Sequence, residues 1–410
     1  MHDAPFATAA SIDYPIVDAD AHVYEPPGLW QERVASALRA RAPKVTRSAT
    51  GDVWTFNDGE RERNVGLMAA AGASYLGFRP SGLTYDDIRA GNYDPGARLA
   101  DMDADGIAVQ LLYPSVCEEG ARIFGDDRAL QLACVRAYNE WVRDFCRHSP
   151  RRLYAHAVIP ATGSDDAVAE LEWALREGFP GVLISIFPGG SAEPSPADDA
   201  FWARAQEARV PVALHIGSFH ADGPVKKRRF DPLAVLPRAA VSKSGANTVP
   251  LVARMIFSGL FERFPRLATL LVEANIGWIP AMLEQTDDMF LRYRWFTGTS
   301  AALPTMPSRA FHRNFWATFM IDTVGIELRH RLNVDHLLWS TDYPHTGTDW
   351  PNSRVTIERV FRGVPQSEVK KMLHDNVKAL YRLDDVPPRL EPLDPQRREP
   401  VDDARSRRDP

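Results

Sequence analysis

The stretch PIVDADAH, residues 15–22, combines an apolar run with two aspartates and a histidine. Its short length and its Val and Ile residues are typical of a buried strand in a parallel sheet. Alternation by two along such a strand would place Asp18, Asp20 and His22 on one face. No Gly-rich phosphate turn of the GxGxxG or GxxxxGKS/T type follows this strand, which argues against an open nucleotide-binding sheet.

The same kind of apolar run recurs seven times: GIAVQLLYPS (106–115), RLYAHAVIP (152–160), GVLISIFP (181–188), VPVALHIG (210–217), LATLLVEAN (267–275), FWATFMID (315–322) and HLLWSTDYPH (336–345). Segments with helical periodicity lie between these runs, at 126–148, 164–178, 199–209, 252–264 and 279–295. Eight alternating strands and helices with right-handed crossovers predict an α/β fold, a (β/α)8 TIM barrel.

Three regions interrupt the repeat. We expect residues 1–383 to form a single barrel domain, in which an insertion at about 31–97 forms a cap beside the barrel mouth. This insertion contains TGDVWTFNDGERERNVG (50–66), which is typical of a hairpin. A second long connection, 219–250, either covers the site or serves a subunit contact. Residues 384–410 are Pro-rich and charged, so we expect a disordered tail or one that lies over a neighbour.

The composition is that of an ordinary globular protein. The 410 residues are 45% hydrophobic and 25% charged, with a formal net charge of −6, which leaves enough apolar sequence for a large core. This charge gives no basic field for nucleic acid or for a membrane surface. Three cysteines without a CxxC pattern fit a reducing compartment. We therefore expect a cytoplasmic protein with small-molecule partners; the tail and the long insertions are compatible with a homodimer.

Polar residues stand where several strands end. Reactive groups of such barrels lie at the C-terminal ends of the strands, and His215 and Asp342 hold that position in the fifth and eighth runs. With Asp20 and His22 they would bring two imidazoles and two carboxylates together, a donor set suited to a divalent metal. A single histidine at a strand end is more often a hydrogen-bonded core residue, and DAD also builds caps and turns. The joint occurrence at three strand ends favours the metal site.

Five motifs carry a family resemblance: VDADAHVYEP, ALHIG, FPRLATLLVEANIGWIP, LLWSTDYPH and KKMLHDNVKALYRL. They resemble the amidohydrolase superfamily, in particular its branch related to aminocarboxymuconate semialdehyde decarboxylase, from about Pro15 to Leu383. The resemblance implies a distorted barrel with one Zn²⁺ or Mn²⁺, bound at the positions of Asp20, His22, His215 and Asp342. An aspartate at position 20 adds a hard oxygen donor to the ligand set, which favours Mn²⁺.

The sixth run departs from the family pattern. Family members with decarboxylase activity usually carry a histidine near the end of strand six that acts as an acid or base, whereas this chain has Glu273 nearest that position. Glu273 is therefore the candidate acid/base, and the alternative is a structural carboxylate bonded to a loop. A shift by one residue would turn it away from the site. Glu25 and His345 are weaker candidates: Glu25 bonds a metal ligand or, as the preferred structural interpretation, caps the segment that follows it, and His345 orients the substrate or the metal-bound water.

A metal at this site is compatible with two reactions. The family resemblance favours a non-oxidative decarboxylase of an aromatic or unsaturated carboxylic acid. The alternative is a hydrolase that uses a metal-activated water to attack the carbonyl of an amide, ester, lactone or activated C–C bond. Asp342 is suited to pass a proton in either reaction, as both ligand and base. A non-catalytic binding protein would be expected to have lost a ligand, and all four positions are filled.

Overall fold

The computed structural model describes residues 12–49, 51–56, 59, 61–73, 77–216, 241–299 and 301–388. All eight predicted runs form strands; β1 is as long as its run, and each of the other seven strands is shorter than its run. They are β1 (Ile16–Val23), β5 (Ile107–Pro114), β6 (Leu153–Val158), β7 (Gly181–Leu183), β8 (Val212–His215), β9 (Thr269–Val272), β10 (Phe315–Phe319) and β11 (Leu337–Trp339). They make one parallel sheet in chain order. The predicted TIM barrel is confirmed.

The barrel closes between its first strand and the segment after its last strand. The backbone N–H of Asp342 donates to the carbonyl of Asp20 at 2.9 Å, and the N–H of His22 donates to the carbonyl of Tyr343. These two bonds replace the ladder that β11 is too short to form. Three of the four predicted metal ligands, Asp20, His22 and Asp342, therefore take part in closing the barrel.

Helices alternate with the strands, as predicted. The α-helices of the described residues include Leu29–Arg33, Ser36–Arg39, Pro95–Asp105, Arg128–Arg147, Ser164–Arg176, Asp199–Ala208, Thr248–Phe257, Leu260–Arg263, Ile279–Tyr293, Pro307–Asn314, Thr323–Glu327, Ser353–Val360, Gln366–Lys370 and Asn376–Tyr381. The longest, Arg128–Arg147, begins where the Asp127 carboxylate accepts the N–H of Leu130, a favourable N-cap. Leu130, Cys134 and Tyr138 repeat every four residues on its buried face.

Strand β1 contains a bulge. Asp18 pairs with Gln110 and Ala21 pairs with Leu112 on β5, so three steps along β1 match two steps along β5. Strict alternation therefore does not hold between Asp18 and Ala21. The Asp18 carboxylate is buried and accepts bonds from Thr341 N at 2.9 Å and Gln110 Nε2 at 3.0 Å. It links β1 to β5 and to the segment after β11.

The insertion forms an antiparallel sheet of three strands, β2 (Lys44–Ser48), β3 (Gly51–Phe56) and β4 (Arg61–Asn64). The predicted hairpin is β3 and β4, and β2 is an additional strand before it. Trp54 of β3 is fully buried and donates its indole N–H to the Tyr85 hydroxyl at 2.8 Å. Arg63 of β4 donates to the carbonyl of Ser115 at 2.8 Å. The sheet is thereby attached to the loop that follows β5.

Two predictions fall partly outside the described residues. Within the predicted connection 219–250, residues 219–240 are not described, and the described part begins at Val241. Within the predicted tail, residues 389–410 are not described, while Asp385 pairs with Arg151 at 2.6 Å. Among the residues that the structure covers, no helix is long and apolar enough to span a bilayer.

Candidate metal centre

The four predicted ligands meet at the C-terminal end of the barrel. The Nε2 atom of His22 lies 3.4 Å from Asp20 Oδ1 and 3.8 Å from Asp342 Oδ1. It also lies 3.3 Å from Nε2 of His215, the last residue of β8. All four side chains are buried. His22 is thus the common neighbour of the other three predicted ligands.

The ligand atoms fall into two groups that share His22. Those of Asp20, His22 and His215 lie within 4.8 Å of one another, and so do those of His22, Glu273, Asp342 and His345. Asp342 was predicted with the first group, and the structure places it with the second. The reason is local: Asp342 lies three residues beyond the end of β11, in a left-handed conformation with φ of 55°. Its carboxylate therefore enters the site from the loop that follows β11.

The hydrogen bond of His22 to the backbone leaves its Nε2 atom available to bind a metal. Its Nδ1 atom lies 2.9 Å from the carbonyl of Pro114, and a carbonyl can only accept, so Nδ1 carries the proton. Burial, and after it the neighbouring His345, lowers the pKa of His22 to about 3. The ring is therefore neutral, and Nε2 presents a lone pair to the centre of the site. Metal-binding histidines are commonly oriented by such a bond.

The carboxylates provide a second indication of a cation. Oδ1 of Asp20 and Oδ1 of Asp342 are both buried and have no hydrogen-bond partner within the described part of the chain. Burial raises the pKa of Asp20, so its charged form needs a compensating positive charge. Two ligands at about 2.1 Å from one tetrahedral ion are about 3.4 Å apart. The distances of 3.3, 3.4 and 3.8 Å around His22 are close to this value, so these residues fit a divalent ion.

Glu273 lies in the site. It directly follows β9 and has a positive φ of 60°, a conformation that costs about 1–3 kcal/mol for a residue other than glycine and is found most often at functional positions. Its Oε2 atom lies 3.5 Å from His215 Nε2. The predicted alternative, in which a one-residue shift turns Glu273 away from the ligands, does not occur.

Lys243 is a site residue that the sequence did not reveal. Its Nζ atom lies 2.9 Å from Glu273 Oε1 and 3.4 Å from Asp342 Oδ2. Burial disfavours the ammonium, but these two carboxylates outweigh it and raise the pKa of Lys243 above its ordinary value. Lys243 therefore carries a positive charge beside the ligands. It comes from the second long connection, where no periodicity marks a single lysine as functional.

His345 joins the site through the loop after β11. Its ring stacks on His22 with centroids 3.7 Å apart, and its Nδ1 atom lies 3.3 Å from Asp342 Oδ1. On its other side Nε2 lies 2.9 Å from Ser115 Oγ. Burial lowers the pKa of His345 to about 3. The neutral ring is thus fixed between two barrel loops.

Glu25 has a structural role, as the preferred interpretation expected, but it binds the loop after β5 instead of capping the segment that follows it. Its buried carboxylate accepts the backbone N–H groups of Val116 at 2.8 Å and Cys117 at 3.1 Å. Burial raises the pKa of Glu25, whereas these bonds lower it. The loop that Glu25 holds begins at Ser115, the neighbour of His345. Glu25 therefore supports the site from outside the ligand groups.

Comparison with known proteins gives a family match over most of the chain. The sequence model of the amidohydrolase family matches residues 17–383. The chain is 27% identical over 304 residues to a gamma-resorcylate decarboxylase of Polaromonas sp., which covers 70% of this chain and 86% of that protein.

Two solved structures share the fold. An amidohydrolase from Mycobacterium avium subsp. paratuberculosis superposes with a TM-score of 0.72 at 20% identity, covering 90% of this chain and 100% of the other. A dihydroxybenzoic acid decarboxylase from Polaromonas sp., with bound manganese and the inhibitor 2-nitroresorcinol, superposes with a TM-score of 0.58 at 18% identity, covering 90% and 97%.

Proposed function

This chain belongs to the amidohydrolase family and is an enzyme, and we propose that it is a metal-dependent, non-oxidative decarboxylase of a small aromatic or unsaturated carboxylic acid. The observation that carries the proposal is the convergence of three carboxylates and three imidazoles at the barrel mouth, in a chain with a decarboxylase relative along 70% of its length. Identity of 27% leaves the particular acid open.

Asp20, His22, His215 and Asp342 are the proposed ligands of one divalent ion. Asp342 and His215 belong to different groups, but His22 Nε2 lies within 3.8 Å of an atom of each of the other three residues. The buried oxygens without partners on Asp20 and Asp342 support this assignment, as does the lone pair that His22 presents. Two carboxylates in the set favour Mn²⁺ over Zn²⁺. When bound, the ion supplies Lewis-acid chemistry, because it can hold and polarise the oxygens of a carboxylate and a neighbouring hydroxyl.

Glu273 is the proposed acid. It takes the place of the strand-six histidine, and its carboxylate lies between the ligand His215 and the charged Lys243. Its side chain is 14% exposed, whereas those of Asp20 and His22 are fully buried. Glu273 thus faces both the ligands and the entrance, where a substrate ring would lie. Asp342 is the proposed second proton carrier, because its carboxylate contacts both Lys243 and His345.

The reaction removes one carboxylate and adds one proton. Glu273 gives its proton to the ring carbon that bears the carboxylate. The bond between this carbon and the carboxylate then breaks, its electron pair restores the ring, and CO₂ leaves. Glu273 regains a proton from water. A positioned acid of this kind contributes typically about 10²- to 10⁴-fold to a rate.

The test uses the purified protein loaded with Mn²⁺. It is incubated with a panel of hydroxybenzoates, including 2,6-dihydroxybenzoate, and CO₂ and the decarboxylated phenol are measured together. A parallel panel of aryl esters and lactones tests the hydrolase alternative. The protein stripped by a chelator and the His215→Ala variant are the controls, and both should be inactive. Turnover of esters or lactones without any release of CO₂ refutes the decarboxylase and assigns a hydrolase.

A further inference from the structure

The proposed reaction assigns no role to Lys243. Its ammonium contacts two of the residues that the reaction uses, Glu273 at 2.9 Å and Asp342 at 3.4 Å. An ammonium has three N–H donors, and these two contacts leave one for another acceptor.

The exposure of the side chains shows that Lys243 lies on the solvent side of the site. The side chain of Lys243 is 26% exposed, against 14% for Glu273, 2% for Asp342 and 1% for His215. Exposure thus increases from the ligands outward to Lys243. A molecule that enters from solvent would meet the ammonium before it reaches the buried ligands.

The charges of the site give Lys243 a role. Asp20, Asp342 and Glu273 contribute three carboxyl groups, all within the two ligand groups. A divalent ion would balance the charges of Asp20 and Asp342, and Glu273 carries no charge while it holds the proton that it donates. The Lys243 ammonium then gives the site one positive charge, which would attract an anionic substrate. After Glu273 has given up its proton, the same ammonium balances its carboxylate.

Packing holds Lys243 in place. Gly245 has a φ of +84°, and a Cβ atom there would lie 2.5 Å from the Trp278 ring. The absence of a side chain lets the turn approach Trp278, which is itself tied to the segment after β9 by a bond from its indole N–H to the carbonyl of Ala274 at 2.8 Å. The backbone two residues from Lys243 is therefore packed against the segment that carries Glu273, which limits the backbone entropy lost on binding a ligand.

We propose that Lys243 binds the carboxylate of the substrate and makes the site selective for anionic over neutral ligands. The proposal rests on the proposed function, since it assumes an acid as the substrate. A planar aromatic acid could then place its carboxylate against Lys243, with its ring carbon close to Glu273. Lys243 would select the substrate by charge, while the cap and loops select it by shape.

The experiment compares two ligands of the same shape, 2-hydroxybenzoate and its neutral amide, 2-hydroxybenzamide. Their dissociation constants are measured by calorimetry on the Mn²⁺-loaded wild type, Lys243→Met and Lys243→Arg. Lys44→Met, at an exposed position of β2, is the matched control. Manganese content is measured for every preparation, because it separates ligand binding from assembly of the site.

We expect the wild type and Lys44→Met to bind the carboxylate at least about tenfold more tightly than the amide. Lys243→Met should lose this preference, with its affinity for the amide and its manganese content unchanged, and Lys243→Arg should keep part of it. The proposal is overturned if the wild type shows no preference or if Lys243→Met retains it. If Lys243→Met does not hold manganese, Lys243→Arg decides: a kept preference supports the proposal, and a lost one overturns it.

The outcome is independent of the decarboxylation assay. A preference that disappears in Lys243→Met, in a protein that releases no CO₂ from any acid, would support the role of Lys243 and refute the proposed reaction. Release of CO₂ by a protein in which Lys243→Met still prefers the carboxylate would do the reverse.

Discussion

Gly347 offers a direct test of how closely the Asp342 carboxylate is positioned. A Cβ atom at this residue would lie 2.3 Å from Asp342 Oδ2, 2.9 Å from the Met320 methyl carbon and 3.2 Å from Lys243 Nζ. Ordinary contact needs about 3.5 Å, so in Gly347→Ala the carboxylate or its loop must move by about 1 Å. The loop cannot yield easily, because the Asp342 N–H is bonded to Asp20 on β1.

The size of the effect follows from this displacement. Overpacking by one methyl group costs about 1–3 kcal/mol, which corresponds to about a 5- to 150-fold loss of Mn²⁺ affinity if the strain falls on the metal-bound state. A displacement of about 1 Å in a reacting group costs about 10²-fold in rate. We therefore expect Gly347→Ala to bind Mn²⁺ at least fivefold more weakly and to have a kcat about 100-fold below the wild type.

The measurement is a Mn²⁺ competition titration against a chelating dye, followed by kcat on the best hydroxybenzoate at saturating metal. Gly96→Ala is the control, since a Cβ atom there meets Asp94 Oδ1 at 3.3 Å and His148 Nε2 at 3.9 Å, far from the site. Far-UV circular dichroism and the urea midpoint monitor the fold. A Gly347→Ala protein within twofold of the wild type in both metal affinity and kcat would refute the reasoning.

Three further outcomes are expected. Glu25→Gln places an amide donor against the N–H groups of Val116 and Cys117, so its free energy of unfolding, measured in urea, should fall by about 1–3 kcal/mol. Glu273→Gln keeps the shape of the proposed acid but not its proton, so kcat should fall about 10²- to 10⁴-fold with unchanged manganese content. Removal of metal by a chelator should lower the thermal midpoint, and Mn²⁺ at about 100 times its dissociation constant should restore about 2.7 kcal/mol.

Each of these has a contrary result. A Glu25→Gln protein as stable as the wild type would mean that the loop after β5 is held by other contacts, such as those of Arg63. Unchanged kcat in Glu273→Gln would leave Asp342 as the sole proposed proton carrier. A thermal midpoint that does not respond to chelation would mean that the buried oxygens of Asp20 and Asp342 do not depend on a cation.

The sequence predicted the barrel because all eight strands are marked by apolar composition, and it predicted the site because three of them are followed or ended by a polar residue. His215 is an example: three apolar residues precede it in β8, and it is the last residue of the strand. Period-two reasoning was sufficient there. It was not sufficient in β1, where the bulge changes the register between Asp18 and Ala21. A bulge has no signature in these residues, so the change of register between Asp18 and Asp20 could not be predicted, although Asp20 was chosen as the ligand and Asp18 was not.

Residues supplied by irregular segments could not be predicted. Lys243 lies in a turn of the second long connection, and its position depends on the approach of Gly245 to Trp278, a contact between segments distant in sequence. Glu273 was identified from the family pattern, but its orientation depends on one backbone angle, the positive φ. Neither the tertiary contact at Gly245 nor the backbone angle at Glu273 is marked in the residues of one sequence.

The closure of the barrel also determines when the site can exist. Asp18 and Thr341, which join β1 to the segment after β11, are 323 positions apart in the chain. During synthesis on a ribosome, the first half of the donor set emerges long before Asp342. The proposed ligand set is therefore complete only when the eighth strand has been made. We accordingly expect the proposed ion to enter late in the maturation of this protein.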